Sequence, residues 1–128
     1  MSASPSVKSV FHFVRAKARR IDHSLEKVNL RFCSEAAGEH ARRDRQYAHF
    51  NHFPSTICVA PQIEVLELPW KLGLVAHEFG HALAFKRKGE KHTEDDANRM
   101  GGQIIGTPVV FKGPQRLEWA DPVKGGLS

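Results

Sequence analysis

Two histidines four residues apart, His77 and His81, enclose Glu78 in the stretch His77-Glu78-Phe79-Gly80-His81. On a helix, side chains at i and i+4 stack one turn above each other, so both imidazoles point the same way. That arrangement suits two ligands of a tetrahedral zinc, and a glutamate beside the first histidine reaches a water on such an ion. The flanks are apolar: Leu72, Leu74, Val75, Ala76, Phe79, Ala82, Leu83 and Phe85 predict a largely buried helix. A buried helix seldom carries His, Glu and His without a use for them. The competing reading is a histidine-rich surface helix.

A catalytic zinc takes three protein ligands and leaves one position open for water. The third ligand is sought downstream, where His92-Thr93-Glu94-Asp95-Asp96-Ala97-Asn98 opens a second helix. Thr93 followed three residues later by an acid resembles a capping box, although Asp is shorter than the usual Glu or Gln. Before it, Lys86-Arg87-Lys88-Gly89 places cations and a glycine where a helix ends. The first helix is predicted from Pro69 to about Lys88, the second to about Ile105. The first therefore runs about 10 Å beyond His81 before the chain turns near Gly89 and returns antiparallel. Such a return carries Glu94 back toward the histidines, and Gly101 and Gly102 would let the two backbones approach. Glu94 is the favoured third ligand and His92 the competing one. Asn98, one turn after Glu94, is placed to accept a hydrogen bond from a ligand histidine, His77, fixing its tautomer. Asp95 and Asp96 read as an acidic first turn that complements the helix dipole.

His-Glu-Phe-Gly-His-Ala-Leu followed by Glu94-x-x-Ala97-Asn98 resembles the gluzincin group of zinc metallopeptidases. It is most similar to the small ImmA/IrrE-type and phage-associated zincin-like domains, over about residues 54 to 119. The resemblance implies one catalytic Zn2+ held by His77, His81 and Glu94, with Glu78 as general base and Asn98 supporting a ligand. It implies an α+β, minimal zincin-like fold: N-terminal helices, a small β-sheet, and the HExxH helix packed against the helix that carries Glu94. It also implies that the strand ahead of the metal helix is a sheet edge to which an extended peptide adds, with a strand that simply builds the core as the alternative. The spacing departs from many gluzincins, because only 12 residues (82 to 93) separate His81 from Glu94.

With 128 residues the chain has room for one modest core, read as a single domain over 1-128. Its parts are a basic helical region (1-50), the metallopeptidase core (54-119) and a tail (120-128). No apolar run reaches membrane-spanning length. Cys33 and Cys58 form no CxxC pair and no secreted disulfide framework, so both are left out of the metal site and a reducing, cytoplasmic setting is expected. Cys58 reads as a small core residue.

The net charge of +5 is located in the first 50 residues, which hold 10 Lys/Arg and 5 Asp/Glu, against 9 of each in residues 51–128. The first 21 residues contain no acid, and Val7, Val10, Phe11, Val14, Ala18 and Ile21 recur at helical spacing. An amphipathic helix packed on the domain is the favoured reading. An organellar transit segment and a nucleic-acid or membrane contact are the rivals. The weaker periodicity of Leu25, Val28 and Phe32 predicts a second helix from Ser24 to Tyr47. Thr56-Ile57-Cys58-Val59-Ala60 reads as a strand, and so does Val109-Val110-Phe111.

The expected function is therefore zinc-dependent hydrolysis of peptide bonds in a protein substrate. An oxyanion donor is sought among Tyr47, His92 and Arg116. The remaining histidines, His12, His23, His40, His49 and His52, show no metal spacing and are assigned to the surface or core edge. The alternative function is a non-catalytic zincin-like accessory module, phage or mobile-element encoded, that binds protein or nucleic acid.

Overall fold

The computed structural model describes residues 5–32, 48–52 and 55–109. Its architecture is α+β. Helix α1 (Val7–Ile21) leads through a 3-10 turn to strand β1 (Asn29–Phe32). Strands β2 (Ala48–His52) and β3 (Ser55–Val59) precede the long helix α2 (Leu68–Lys88), and helix α3 (Glu94–Ile105) follows. The three strands form one sheet in the order β1-β3-β2, with β1 parallel and β2 antiparallel to β3.

Helix α2 is the centre of the molecule. Every residue from Lys71 to Gly80 is buried, as are Ala82, Leu83 and Ala84. A helix apolar on all sides must be covered on all sides, and α1, α3 and the sheet do so. Helix α1 contributes Val7, Val10, Phe11, Val14 and Ala18 to this core. Phe11 packs on Phe79, their ring centroids 5.5 Å apart. The amphipathic reading of α1 holds except at its end, where Ile21 is exposed. Lys71, fully buried on α2, donates to the carbonyl oxygen of Pro5 at 2.6 Å and lies 3.9 Å from Glu64. Glu64 in turn accepts the backbone N–H of Val7 at 3.0 Å, so the start of α1 is tied to the start of α2.

Two expectations are corrected. The helix expected from Ser24 gives way to a 3-10 turn, His23–Lys27, and then to β1. Leu25 and Val28 are buried as expected, but Phe32 is exposed. The weak helical spacing is overridden because β3 offers an unpaired edge, and four residues of β1 match it in parallel register from Asn29–Thr56 to Phe32–Val59. The remainder of that expected helix, 33–47, lies outside the described residues. Second, β3 is the central strand, so an extended peptide has no edge to join there. The expected strand 109–111 lies outside the described residues beyond Val109, which is buried. Cys58 is a buried residue of β3.

Helices α2 and α3 run antiparallel and touch backbone to backbone. A Cβ on Gly101 would come within 2.6 Å of the Ala76 carbonyl oxygen, and one on Gly80 would collide with the carbonyl of Ala97. Gly80 thus does what the sequence reading assigned to Gly102, which faces Thr107 and Pro108 instead. At the start of α3, Thr93 and Asp96 form a reciprocal capping box, Thr93 Oγ1 accepting the Asp96 N–H at 3.1 Å and Asp96 the Thr93 N–H at 2.9 Å. Asp96 also holds Lys88 at 3.0 Å and Arg99 at 2.7 Å, bracing the turn between the helices.

Gly80→Ala is expected to force the helices apart and to destabilise the protein by on the order of 1–3 kcal/mol. A urea-unfolding midpoint unchanged by the substitution would show that the backbones are not in contact there.

Candidate metal centre

Because α2 and α3 lie so close, residues 17 and 21 positions apart in sequence meet across the groove between them. His77 Nε2 lies 2.9 Å from Glu94 Oε1, and His81 Nε2 lies 3.3 Å from Glu94 Oε2. The two rings stand edge to face, their centroids 4.6 Å apart. One ligand atom from each of His77, His81 and Glu94 falls within 4.8 Å of the others, and the group could hold a metal ion.

The hydrogen bonds behind the rings determine where their protons sit. His77 Nδ1 donates to Asn98 Oδ1 at 2.8 Å. His81 Nδ1 is 2.9 Å from His92 Nε2, and His92 Nδ1 is 2.8 Å from the carbonyl oxygen of Gly89. A carbonyl only accepts, so His92 carries its proton on Nδ1, its Nε2 accepts, and His81 donates from Nδ1. Both ligand rings in their neutral form therefore turn a bare Nε2 toward a carboxylate. Three electron-rich acceptors facing one point can be satisfied together by a cation between them. Two extra protons could supply one, but imidazolium rings at this separation repel each other. A single divalent ion satisfies all three acceptors at once, and two imidazole nitrogens with one carboxylate form a donor set suited to it.

The two glutamates are driven in opposite directions. Where the Nε2 atoms carry protons instead, their hydrogen bonds, from His77 first and then from His81, hold the Glu94 carboxyl well below the usual carboxylate range, against the opposing effect of partial burial. Glu78 is buried, and desolvation pushes it up to about 7, while His81 nearby opposes the shift and Glu94 adds to it. Its Oε1 is a buried oxygen with no hydrogen-bond partner among the described residues. An acceptor of this kind, in the field of two of the candidate ligands, is available to a water or a substrate group.

The residues singled out in the sequence fall as follows. His77, His81 and Glu94 are brought together, Asn98 backs His77, and Glu78 lies buried beside them. His92 is behind His81 rather than in the ligand set. Tyr47 and Arg116 lie outside the described residues, as does Cys33. His12 and His23 are exposed and away from the centre. The contact of His92 with His81 differs from both roles the sequence suggests for it, a competing third ligand and an oxyanion donor. Comparison with protein-family models, with curated proteins and with solved structures returned no match.

The Glu78 environment has a consequence for stability. Below about pH 4.5 its carboxyl is protonated in folded and unfolded chains alike and contributes nothing. As pH rises from there to about 7, the unfolded chain ionises while the buried group resists, so the folded state loses stability. Glu94, held low, acts in the other direction and loses its stabilising effect as pH falls. Glu78→Gln is therefore expected to stabilise chelator-treated protein at pH 8 by about 1–3 kcal/mol, with the gain vanishing below the ordinary glutamate pKa. A variant no more stable than wild type at pH 8 by urea unfolding would show that the carboxylate is not desolvated.

Proposed function

We propose that this chain is a zinc-dependent peptidase whose metal is held by His77, His81 and Glu94. One observation carries the reading: two imidazoles, each held by a hydrogen bond at Nδ1, present Nε2 to the same carboxylate. When bound, zinc supplies Lewis acidity toward a carbonyl oxygen and lowers the pKa of water from 15.7 to about 7. Glu78 accepts the proton of the attacking water and returns it to the leaving amine. Its raised pKa suits it to both halves of that transfer, since a group poised near neutrality takes and gives a proton with equal ease. Asn98 keeps the His77 ring aimed by holding its Nδ1 proton. The resemblance to gluzincins supports the peptide bond as the target. The HExxH helix, the antiparallel return and the acid at the start of the next helix support it in the same way.

A binding-only zincin-like module is the second reading, and the outer face of α1 favours it. That face presents Lys8, Arg19 and Arg20 to solvent, and the helix carries no acidic residue. Its other face belongs to the core, so removal of residues 1 to 21 would unfold the protein rather than test a surface. Charge reversal at Lys8 and Arg20 is the appropriate probe. Nucleic-acid binding that is steeply salt-dependent and lost in the reversed variant would favour this reading. Among the described residues no helix is long and apolar enough to cross a membrane.

Elemental analysis of wild type is expected to find one zinc per chain, with Glu94→Ala retaining far less after dialysis. Glu78→Gln is expected to keep the metal and lose at least about 100-fold in cleavage of a denatured-protein substrate. Absence of metal from wild type overturns the reading, and equal cleavage by Glu78→Gln removes Glu78 as the base.

A further inference from the structure

The site leaves its two histidines unequally anchored by burial. The His77 side chain is fully buried, whereas His81 is 17% exposed and has more freedom to turn. We propose that His92 is a positioning residue that fixes the tautomer and aim of His81 by linking its ring to the Gly89 carbonyl. The proposal rests on the metal-centre reading above and extends it to a residue that neither holds the ion nor touches the substrate.

The relay runs in one direction. His81 donates from Nδ1 to His92 Nε2 at 2.9 Å, and His92 donates from Nδ1 to Gly89 O at 2.8 Å. The carbonyl at its end is fixed, because the same oxygen also accepts the backbone N–H of His92 at 3.2 Å. Gly89 has φ 67° and ψ −150°, a conformation reserved for glycine, so the direction of that carbonyl is set by the turn itself. The ring of His92 is held between His81, with centroids 5.1 Å apart, and the edge of Phe85 at 6.3 Å. Each ligand histidine thus has its own support, Asn98 from within α3 and His92 from the turn that precedes it. Losing a hydrogen-bond acceptor behind a ligand histidine typically weakens metal binding about 10–100-fold. His92 is accordingly expected to act on affinity, through ring orientation, without supplying a bond to the metal.

The test compares zinc affinity of the full-length wild type, His92→Phe and His92→Gln by competition with a chromophoric chelator. Phe keeps the aromatic volume and removes the acceptor. Gln restores an acceptor at nearly the same reach. The expected result is a loss of about 10–100-fold in affinity for Phe, with recovery to within about 3-fold of wild type for Gln. A Phe variant that binds as tightly as wild type overturns the relay, and so does a Gln variant as weak as Phe, since loss without rescue marks a packing role. Should the variants fold poorly, long-range 1H–15N spectra of wild type decide the matter on their own. Both His81 and His92 are expected to carry a proton on Nδ1, and a His92 whose proton sits on Nε2 overturns the proposal. The two readings fail separately: wild type without zinc affinity removes the metal centre, while tight binding untouched by His92 removes only the relay.

Discussion

Where α2 crosses α3, the side chains that ordinarily hold two helix axes about 8–10 Å apart are missing. Gly80 meets the carbonyl of Ala97, and Gly101 meets the carbonyl of Ala76. This contact sets the width of the groove into which His77, His81 and Glu94 project. Glu94 is the first residue of its helix and comes from a half-exposed position, with a short reach to two imidazoles on a buried helix. With the axes a methyl group further apart, a carboxylate that now lies 2.9 and 3.3 Å from the two nitrogens would have to choose one of them.

The same closeness creates an electrostatic problem that the fold solves only in part. Helix α2 is apolar enough to be the centre of the core, yet it carries His77, Glu78 and Lys71 in fully buried positions. Lys71 is answered locally by a backbone carbonyl and Glu64. His77 is answered on one side by Asn98. Glu78 keeps one oxygen without a partner among the described residues. Natural sequences rarely keep such a carboxylate for stability, because an uncompensated buried charge opposes folding. Its place beside a group that could hold a metal ion accords with the proposed chemical role.

Support for the centre is divided between two kinds of structure. Asn98 sits one turn beyond Glu94 on α3, so the candidate ligand and the group that holds His77 ride on one rigid helix. His92 belongs to the turn and depends on the backbone of Gly89, on the capping box of Thr93 and Asp96, and on the Lys88 and Arg99 contacts that brace it. The turn is therefore more than a connection. Its geometry reaches the ring of the candidate ligand His81 through two hydrogen bonds.

Local rules were enough to read the HExxH helix, its end at Gly89, the capped start of the next helix at Thr93, and the candidate ligands His77, His81 and Glu94 from the chain. Spacing at i and i+4, capping chemistry and the length of a helical return all act within a few residues of one another. The path from Ser24 was not legible in this way. Leu25 and Val28 fit a helix as well as they fit a turn leading to a strand, and the choice was made by the open edge of β3, a partner more than 25 residues away. The central place of β3, the role of Gly80 instead of Gly102, and the turning of His92 onto His81 have the same origin. Each depends on which surface another segment brings up against it. The sequence by itself determined which groups could do chemistry and on which helices they ride. Only the tertiary structure decided which of them meet, because contacts between segments distant in the chain are selected by the packing of the whole core.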